Sequence, residues 1–157
     1  MKIIVDSREK KWDKIRRHFD EQGIKYEIKK LDIGDYQIEG HPEVTIDRKQ
    51  NLSELSHNLT NRTDKSRFWK EIKRAKDTHT KMIILCEQGG NYQEISDVEQ
   101  WHDKYTGVSG KSLMKYLYRL TIEYGVEVHF CEKRNTGLRI VQILNNNING
   151  NKIGVDI

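Results

Sequence analysis

The apolar residues of this chain recur with two different spacings, and the two spacings alternate along the sequence. A short apolar run at residues 2–5 and an alternating run at residues 24–31 are typical of β-strands. Trp12, Ile15 and Phe19 are separated by three and four residues, which predicts an amphipathic helix. Later segments repeat both patterns in the order β-α-β-β-β-α-α-β-α-β-α. This order predicts an α/β fold in which helices flank a mixed central sheet.

Two short alternating runs, Tyr36–Ile38 and Val44–Arg48, are separated by a Gly-His-Pro turn and predict a β-hairpin. Pairing the two strands would bring Asp35, just before the first run, close to Asp47 in the second. Lys49 lies two residues beyond Asp47 and therefore points to the same face of the sheet. Two carboxylates and a lysine on one face are costly to bury unless a cation or a phosphate binds among them. The hairpin is therefore a candidate metal-dependent nuclease site.

The charge of the chain is unevenly distributed. Of 157 residues, 35% are hydrophobic and 33% are charged, and the net charge is only +4. Residues 61–81 nevertheless hold eight Lys or Arg and three Asp or Glu, which indicates local contact with a polyanion. The basic face of the helix predicted over residues 64–76 has a second interpretation as an ordinary solvated surface. The predicted nucleic-acid contacts are Arg48, Arg62, Arg67, Lys70, Arg74 and Lys111.

The remaining composition bears on location and boundaries. Two cysteines without a secretion signal or an apolar span predict free thiols in the cytoplasm, which would be the host cytoplasm for a phage-encoded protein. No membrane association is expected. Residues 1–144 are predicted to form a single nuclease domain, and residues 145–157, which are rich in Asn and Gly, a flexible tail.

Three motifs of this chain occur in the order and with the spacing found in one nuclease family. They are Val-Asp-x-Arg-Glu at residues 5–9, Gly-Asp-Tyr at residues 34–36 and Asp-Arg-Lys at residues 47–49. Together with the segments at 52–55 and 67–69, they resemble the XPF-type endonucleases, in particular short phage and bacterial members. This resemblance implies a restriction-endonuclease-like fold of the PD-(D/E)xK superfamily. It also implies cleavage of branched or flapped DNA in recombination, replication or repair.

The chemistry of phosphodiester hydrolysis assigns roles to these residues. A carboxylate-bound Mg²⁺, which Mn²⁺ is expected to replace, activates a water molecule and polarises the phosphate. We expect Asp35 and Asp47 to bind the metal directly, with Glu9 completing the site. Lys49 is expected to position the water or stabilise the phosphate in the transition state. Asp6 is expected to be a ligand or a supporting acid, and Arg8 to contact a phosphate or hold the acids together.

The chain departs from the family pattern at two positions. Asp47 stands where the family has Glu, and Ser53 stands where the family has Asp. Glu54 is adjacent to Ser53 but would point about 100° away on a helix. The loss of this acid favours an alternative, a catalytically silent DNA-binding or scaffold partner. The helix-hairpin-helix domain that often follows this nuclease domain is not expected here. DNA targeting is therefore expected from the domain itself, from a homodimer mate or from a partner protein.

Overall fold

The computed structural model describes residues 1–61, 66–103, 105 and 107–148. Six strands in this part of the chain form one mixed sheet in the order β2-β1-β3-β4-β5-β6. The strands are β1 (Lys2–Val5), β2 (Lys25–Ile28), β3 (Tyr36–Ile38), β4 (His41–Lys49), β5 (Lys81–Cys86) and β6 (Glu127–Phe130). The helices are α1 (Asp13–Glu21), α2 (Leu52–Thr60), α3 (Arg67–Asp77), α4 (Gly110–Tyr124) and α5 (Thr136–Asn147). The predicted order and the α/β class are confirmed.

Strand direction decides where the chain can build a site. β1 runs parallel to β2, and β4, β5 and β6 are mutually parallel. Only β3 is antiparallel to its neighbours β1 and β4. The carboxyl ends of five strands therefore lie along the same edge of the sheet, where α/β proteins usually place their ligand sites.

Two apolar clusters cover the two faces of the sheet. One face packs against α1 and α5 through residues such as Phe19, Ile46 and Ile140. The opposite face packs against α2, α3 and α4 through residues such as Ile84 and Leu55. Because alternate residues of β5 point to opposite faces, this strand contributes to both clusters, with Ile84 on one face and Ile83 on the other.

Some element boundaries follow directly from the sequence, and others differ from the prediction. Ser109 caps α4 by accepting a hydrogen bond from the Ser112 amide, and Gly125 ends the helix with φ of 66°. The predicted Gly-His-Pro turn at residues 40–42 is wrong, because His41 and Pro42 already belong to β4 and the turn lies at Glu39 and Gly40. The pairing of β4 with β3 is irregular. The helix predicted to start near residue 64 begins at Arg67.

The ends of the domain are only partly described. α5 extends to Asn147, three residues beyond the predicted end of the domain at Leu144. Residues 149–157 lie outside the described part, so the flexible tail stays a prediction. Both cysteines are free thiols. No helix in residues 1–61, 66–103 or 107–148 has the length and apolar character needed to cross a membrane.

Candidate active site

The predicted hairpin residues lie in a cleft at the carboxyl ends of β1 and β4. The cleft has a volume of about 380 Å³. Its walls come from the segment after β1, the end of β4 and the facing sides of α2 and α3. The lining residues are Arg8, Glu9, Lys10, Asp35, Asp47, Arg48, Lys49, Gln50, Glu54, Asn58, Arg67, Phe68 and Glu71.

Asp35, Asp47 and Lys49 lie together at the bottom of this cleft. The Asp35 amide donates to the Ile46 carbonyl at 2.7 Å, and the Arg48 amide donates to Asp35 Oδ2 at 2.8 Å. These bonds hold the Asp35 carboxylate against β4. Lys49 Nζ lies 3.2 Å from Asp47 Oδ2, as the two-residue strand period requires. The three side chains are only 11–14% exposed.

The electrostatics of this group favour a bound cation. Burial and the neighbouring carboxylates of Asp47 and Glu9 raise the pKa of Asp35 well above its usual value. Burial alone would lower the pKa of Lys49, but the carboxylates of Asp47 and Asp35 outweigh it and raise this pKa. Two adjacent carboxylates with one ammonium group leave an excess of buried negative charge, which a cation would neutralise.

A buried glutamate that the sequence prediction overlooked fixes the turn before Asp35. Glu71 accepts hydrogen bonds from the Gly34 amide and from Arg67 Nε, both at 2.7 Å. Gly34 has φ of +75°, and a Cβ at this position would lie 2.1 Å from Thr45 Oγ1. Only glycine fits this turn. The available signal was the position of Glu71 on the apolar face of α3, where a charged residue requires a partner.

The Asp6 carboxylate accepts hydrogen bonds from three neighbouring residues, which positions it as a supporting acid. The buried carboxylate accepts them from the Arg8 and Arg67 guanidinium groups and from the Leu31 amide. Burial alone would raise the pKa of Asp6, but the Arg8 and Leu31 hydrogen bonds outweigh it and lower this pKa. For Asp6, this geometry favours the role of a supporting acid over that of a metal ligand. For Arg8, it favours holding the acids together over contact with a phosphate.

The predicted DNA contact at Arg48 does not fit the structure, because its side chain is 2% exposed. Strand alternation directs it away from Asp47 and Lys49. Its guanidinium group binds Glu9 at 3.1 Å and Glu87 at 2.8 Å. Glu9 lines the cleft with Asp35 and Asp47 while it binds Arg48, and its role as a third metal ligand stays a prediction. Glu87, which the sequence prediction overlooked, directly follows β5 and marks the same edge of the sheet.

Helix α2 places Glu54, and not Ser53, in the cleft. The Asn51 side chain caps the helix by accepting from the Glu54 amide at 2.8 Å, so Glu54 lies in the first helical turn. Leu52, Leu55 and Leu59 of α2 are buried against the sheet. The adjacent helical positions therefore direct Glu54 and Asn58 towards the site. The carboxylate that α2 presents to the cleft therefore belongs to Glu54 and not to position 53.

The other five predicted DNA-binding residues differ in their position relative to the cleft. Arg67, Lys70 and Arg74 line a groove of about 260 Å³ that shares Arg8, Arg67 and Glu71 with the cleft. Arg67 is half-exposed while it binds Asp6 and Glu71. Lys111 lies on α4 and lines neither the cleft nor this groove. Arg62 lies outside the described residues.

The oxygen donors in the cleft fit a magnesium ion. Mg²⁺ keeps most of its water and is held in proteins by one or two carboxylates together with substrate phosphates. Asp35 and Asp47 supply two such carboxylates. Across the described part of the chain, no three His, Cys, Asp or Glu side chains are grouped to hold a metal by themselves. This finding agrees with the pairing of Glu9 with Arg48, and it is compatible with a site that the substrate completes.

The mixed sheet flanked by helices has a restriction-endonuclease-like fold, with a cleft of charged residues at its carboxyl edge. The sequence model of the ERCC4 domain family matches residues 5–144, and the chain belongs to this family. This match confirms the predicted XPF-type resemblance. The proposed phage or bacterial origin stays a prediction.

Solved structures support the same fold. The chain is similar to XPF from Aeropyrum pernix, with 19% identity and a TM-score of 0.68 over 92% of this chain and 63% of that chain. The structure of XPF from Aeropyrum pernix in complex with DNA gives 20% identity over the same shares, also with a TM-score of 0.68. This chain therefore spans less than two thirds of the length of these proteins. The sequence matches none of the curated proteins with which it was compared.

Proposed function

We propose that this protein is a metal-dependent DNA endonuclease that hydrolyses phosphodiester bonds. The observation that carries the proposal is the buried pair of Asp35 and Asp47 beside Lys49, at the bottom of a cleft whose walls include Arg8, Lys10 and Arg67. Such an arrangement leaves unbalanced negative charge at one point and presents cations around it. It suits a divalent cation and a phosphate that bind together.

The chemistry assigns a role to each of these residues. A bound Mg²⁺ would lower the pKa of a water molecule and polarise the phosphoryl oxygens. Asp35 and Asp47 would hold the cation, and the Arg48 amide keeps the Asp35 carboxylate in place. Lys49 would stabilise the charge that develops on the phosphate. Glu71 would keep the Gly34 turn in the conformation that directs Asp35 into the cleft.

The proposed substrate is branched or flapped DNA, in recombination, replication or repair. Membership of the ERCC4 domain family supports this substrate. Because Arg67, Lys70 and Arg74 line the groove that adjoins the cleft along α3, we propose that they contact the DNA backbone. We further propose action in the cytoplasm. A homodimer mate or a separate partner protein would help to direct the domain to branched sites.

One feature favours a second function, that of a catalytically silent DNA-binding or scaffold partner. The acid of the family pattern is Ser53 in this chain, and Ser53 does not line the cleft. Against this function, the chain retains Asp35, Asp47 and Lys49 in contact with one another, which DNA binding alone does not require. The endonuclease is therefore the better supported proposal.

Cleavage of a panel of labelled DNA substrates tests the proposal. A 3′-flap, a splayed duplex, a four-way junction and a plain duplex would each be incubated with Mg²⁺, Mn²⁺ or EDTA. We expect nicks near the branch with either metal and none in EDTA. Equal cleavage of the plain duplex would remove the branch preference. No cleavage of any substrate, with DNA binding intact, would favour the silent partner.

A further inference from the structure

A second basic groove lies on the other side of the catalytic cleft from α3. Its volume is about 320 Å³, and it lies on the face of the sheet that α1 and α5 cover. One wall is the start of α1 with the residues before it, and the other is the turn after β6. The lining residues are Lys11, Asp13, Lys14, Ile15, Arg17, Arg48, Glu87 and Lys133.

The charge of this groove is strongly positive at its surface. Lys11, Lys14, Arg17 and Lys133 are exposed, whereas Asp13 is the only exposed acid among the lining residues. Across residues 1–61, 66–103, 105 and 107–148, none of the four basic side chains takes part in an ion pair. They differ in this respect from Arg8 and Arg67, which bind carboxylates. The four cations are therefore available to an anionic ligand.

The groove is joined to the catalytic cleft through Arg48, which lines both. Arg48 Nη2 donates to the carbonyls of Lys10 at 2.6 Å and Lys11 at 3.4 Å. Lys11 has φ of 52°, a left-handed conformation that is costly for a residue with a Cβ. The buried guanidinium group thus holds the wall of the groove in a strained conformation beside the cleft.

The groove on α3 has no lining residue in common with this second groove. The α3 groove shares three residues with the cleft, whereas the second groove shares only Arg48. The cleft therefore lies between them at the carboxyl edge of the sheet. A DNA strand with its scissile phosphate in the cleft would meet basic residues on both sides. Sequence alone did not indicate this second side, because Lys133 is far from α1 in the chain.

We propose that the groove formed by Lys11, Lys14, Arg17 and Lys133 binds the sugar–phosphate backbone of DNA, on the side of the scissile phosphate opposite α3. This inference rests on the proposed function, since the position of the scissile phosphate defines the two sides. The interaction is with the backbone phosphates, because flexible, exposed Lys and Arg side chains contact phosphate without reading sequence.

The test compares two double variants with the same loss of charge. Lys14→Ala/Lys133→Ala removes two cations from the groove, and Lys25→Ala/Lys115→Ala removes two exposed cations that line neither the groove nor the cleft. Affinity for a fluorescent 3′-flap would be measured by anisotropy in EDTA at several salt concentrations. We expect the groove variant to bind at least about fivefold more weakly, with the salt slope reduced by about 2, and the control to bind like the wild type.

Hydroxyl-radical footprinting locates the contact. The groove variant should lose protection on one side of the nick, and Lys70→Ala/Arg74→Ala should lose it on the other. Equal affinity and salt slope for the groove and control variants would overturn the inference. Loss of protection on the α3 side in the groove variant would also overturn it. The binding assay does not require cleavage. Failure of the proposed nuclease would appear instead as intact binding without nicks in Mg²⁺.

Discussion

Replacing Arg48 with methionine tests whether this residue organises the site from within the domain or contacts DNA directly. The Arg48 side chain is 2% exposed, and its partner Glu87 is 1% exposed. Methionine removes the guanidinium group but leaves the Glu87 carboxylate buried, with the Thr136 hydroxyl as its remaining donor. The carbonyl of Lys10 also loses its Arg48 donor.

The structure sets the expected magnitude of this change. Removal of one member of a buried ion pair usually lowers the free energy of unfolding by about 3–5 kcal/mol, because the other charge stays uncompensated. For a domain of this size, the melting temperature should fall by roughly 6–20 °C. Replacing both residues, as in Arg48→Met/Glu87→Met, should recover at least about 1 kcal/mol of the loss, since no buried carboxylate remains at position 87.

Guanidinium chloride unfolding, followed by tryptophan fluorescence, measures the stability of each variant. While the variant is folded, the salt slope of DNA binding in EDTA should equal that of the wild type, because the Arg48 side chain supports the Lys10 and Lys11 carbonyls of the groove wall but does not itself reach the surface. A stability loss below about 1 kcal/mol, combined with weaker DNA binding and a smaller salt slope, would refute the reasoning. That result would instead support the direct DNA contact predicted from the sequence.

Three further results are expected. Because the pKa of Asp35 is raised in the folded state, the contribution of Asp35 to the stability of the metal-free protein should be greatest below the usual aspartate pKa and should be lost as pH rises through the raised value. Asp35→Asn should flatten this dependence in urea unfolding at a series of pH values. Gly34→Ala should lower stability by more than about 2 kcal/mol and weaken Mg²⁺ binding in calorimetry, since the new Cβ would meet Thr45. Glu54→Gln should weaken Mg²⁺ binding up to about tenfold while Ser53→Ala leaves it unchanged; the reverse order would contradict the placement of Glu54.

The parts of the site that sequence predicts are those set by local periodicity. The two-residue strand period places Asp47 and Lys49 on one face, and hairpin pairing brings Asp35 to them. The same period places Arg48 on the opposite face, so its burial could have been inferred from the alternation. The contact of Glu9 with Arg48 could not have been inferred in this way, because the two residues lie 39 positions apart in the chain.

The parts that sequence does not predict depend on long-range packing. Glu71 holds the Gly34 amide across 37 residues, and Glu87 holds Arg48 across 39. In the sequence, Glu87 looks like an ordinary surface charge, and the position of Glu71 on the apolar face of α3 indicates that it needs a partner but not which one. The orientation of α2 also depends on long-range packing, and it decides whether residue 53 or residue 54 faces the cleft. The helical period gives their angular separation but not which of them faces inward.

The central claim is that Asp35, Asp47 and Lys49 form a catalytic site for phosphodiester hydrolysis. Single-turnover cleavage of a 3′-flap in Mg²⁺, with wild-type protein and with the Asp35→Asn and Lys49→Met variants, tests it most directly. We predict cleavage by the wild type and losses of at least about a hundredfold in both variants, with DNA affinity in EDTA retained. Cleavage by Asp35→Asn at the wild-type rate, or the absence of cleavage by a wild type that binds the flap, would contradict the claim.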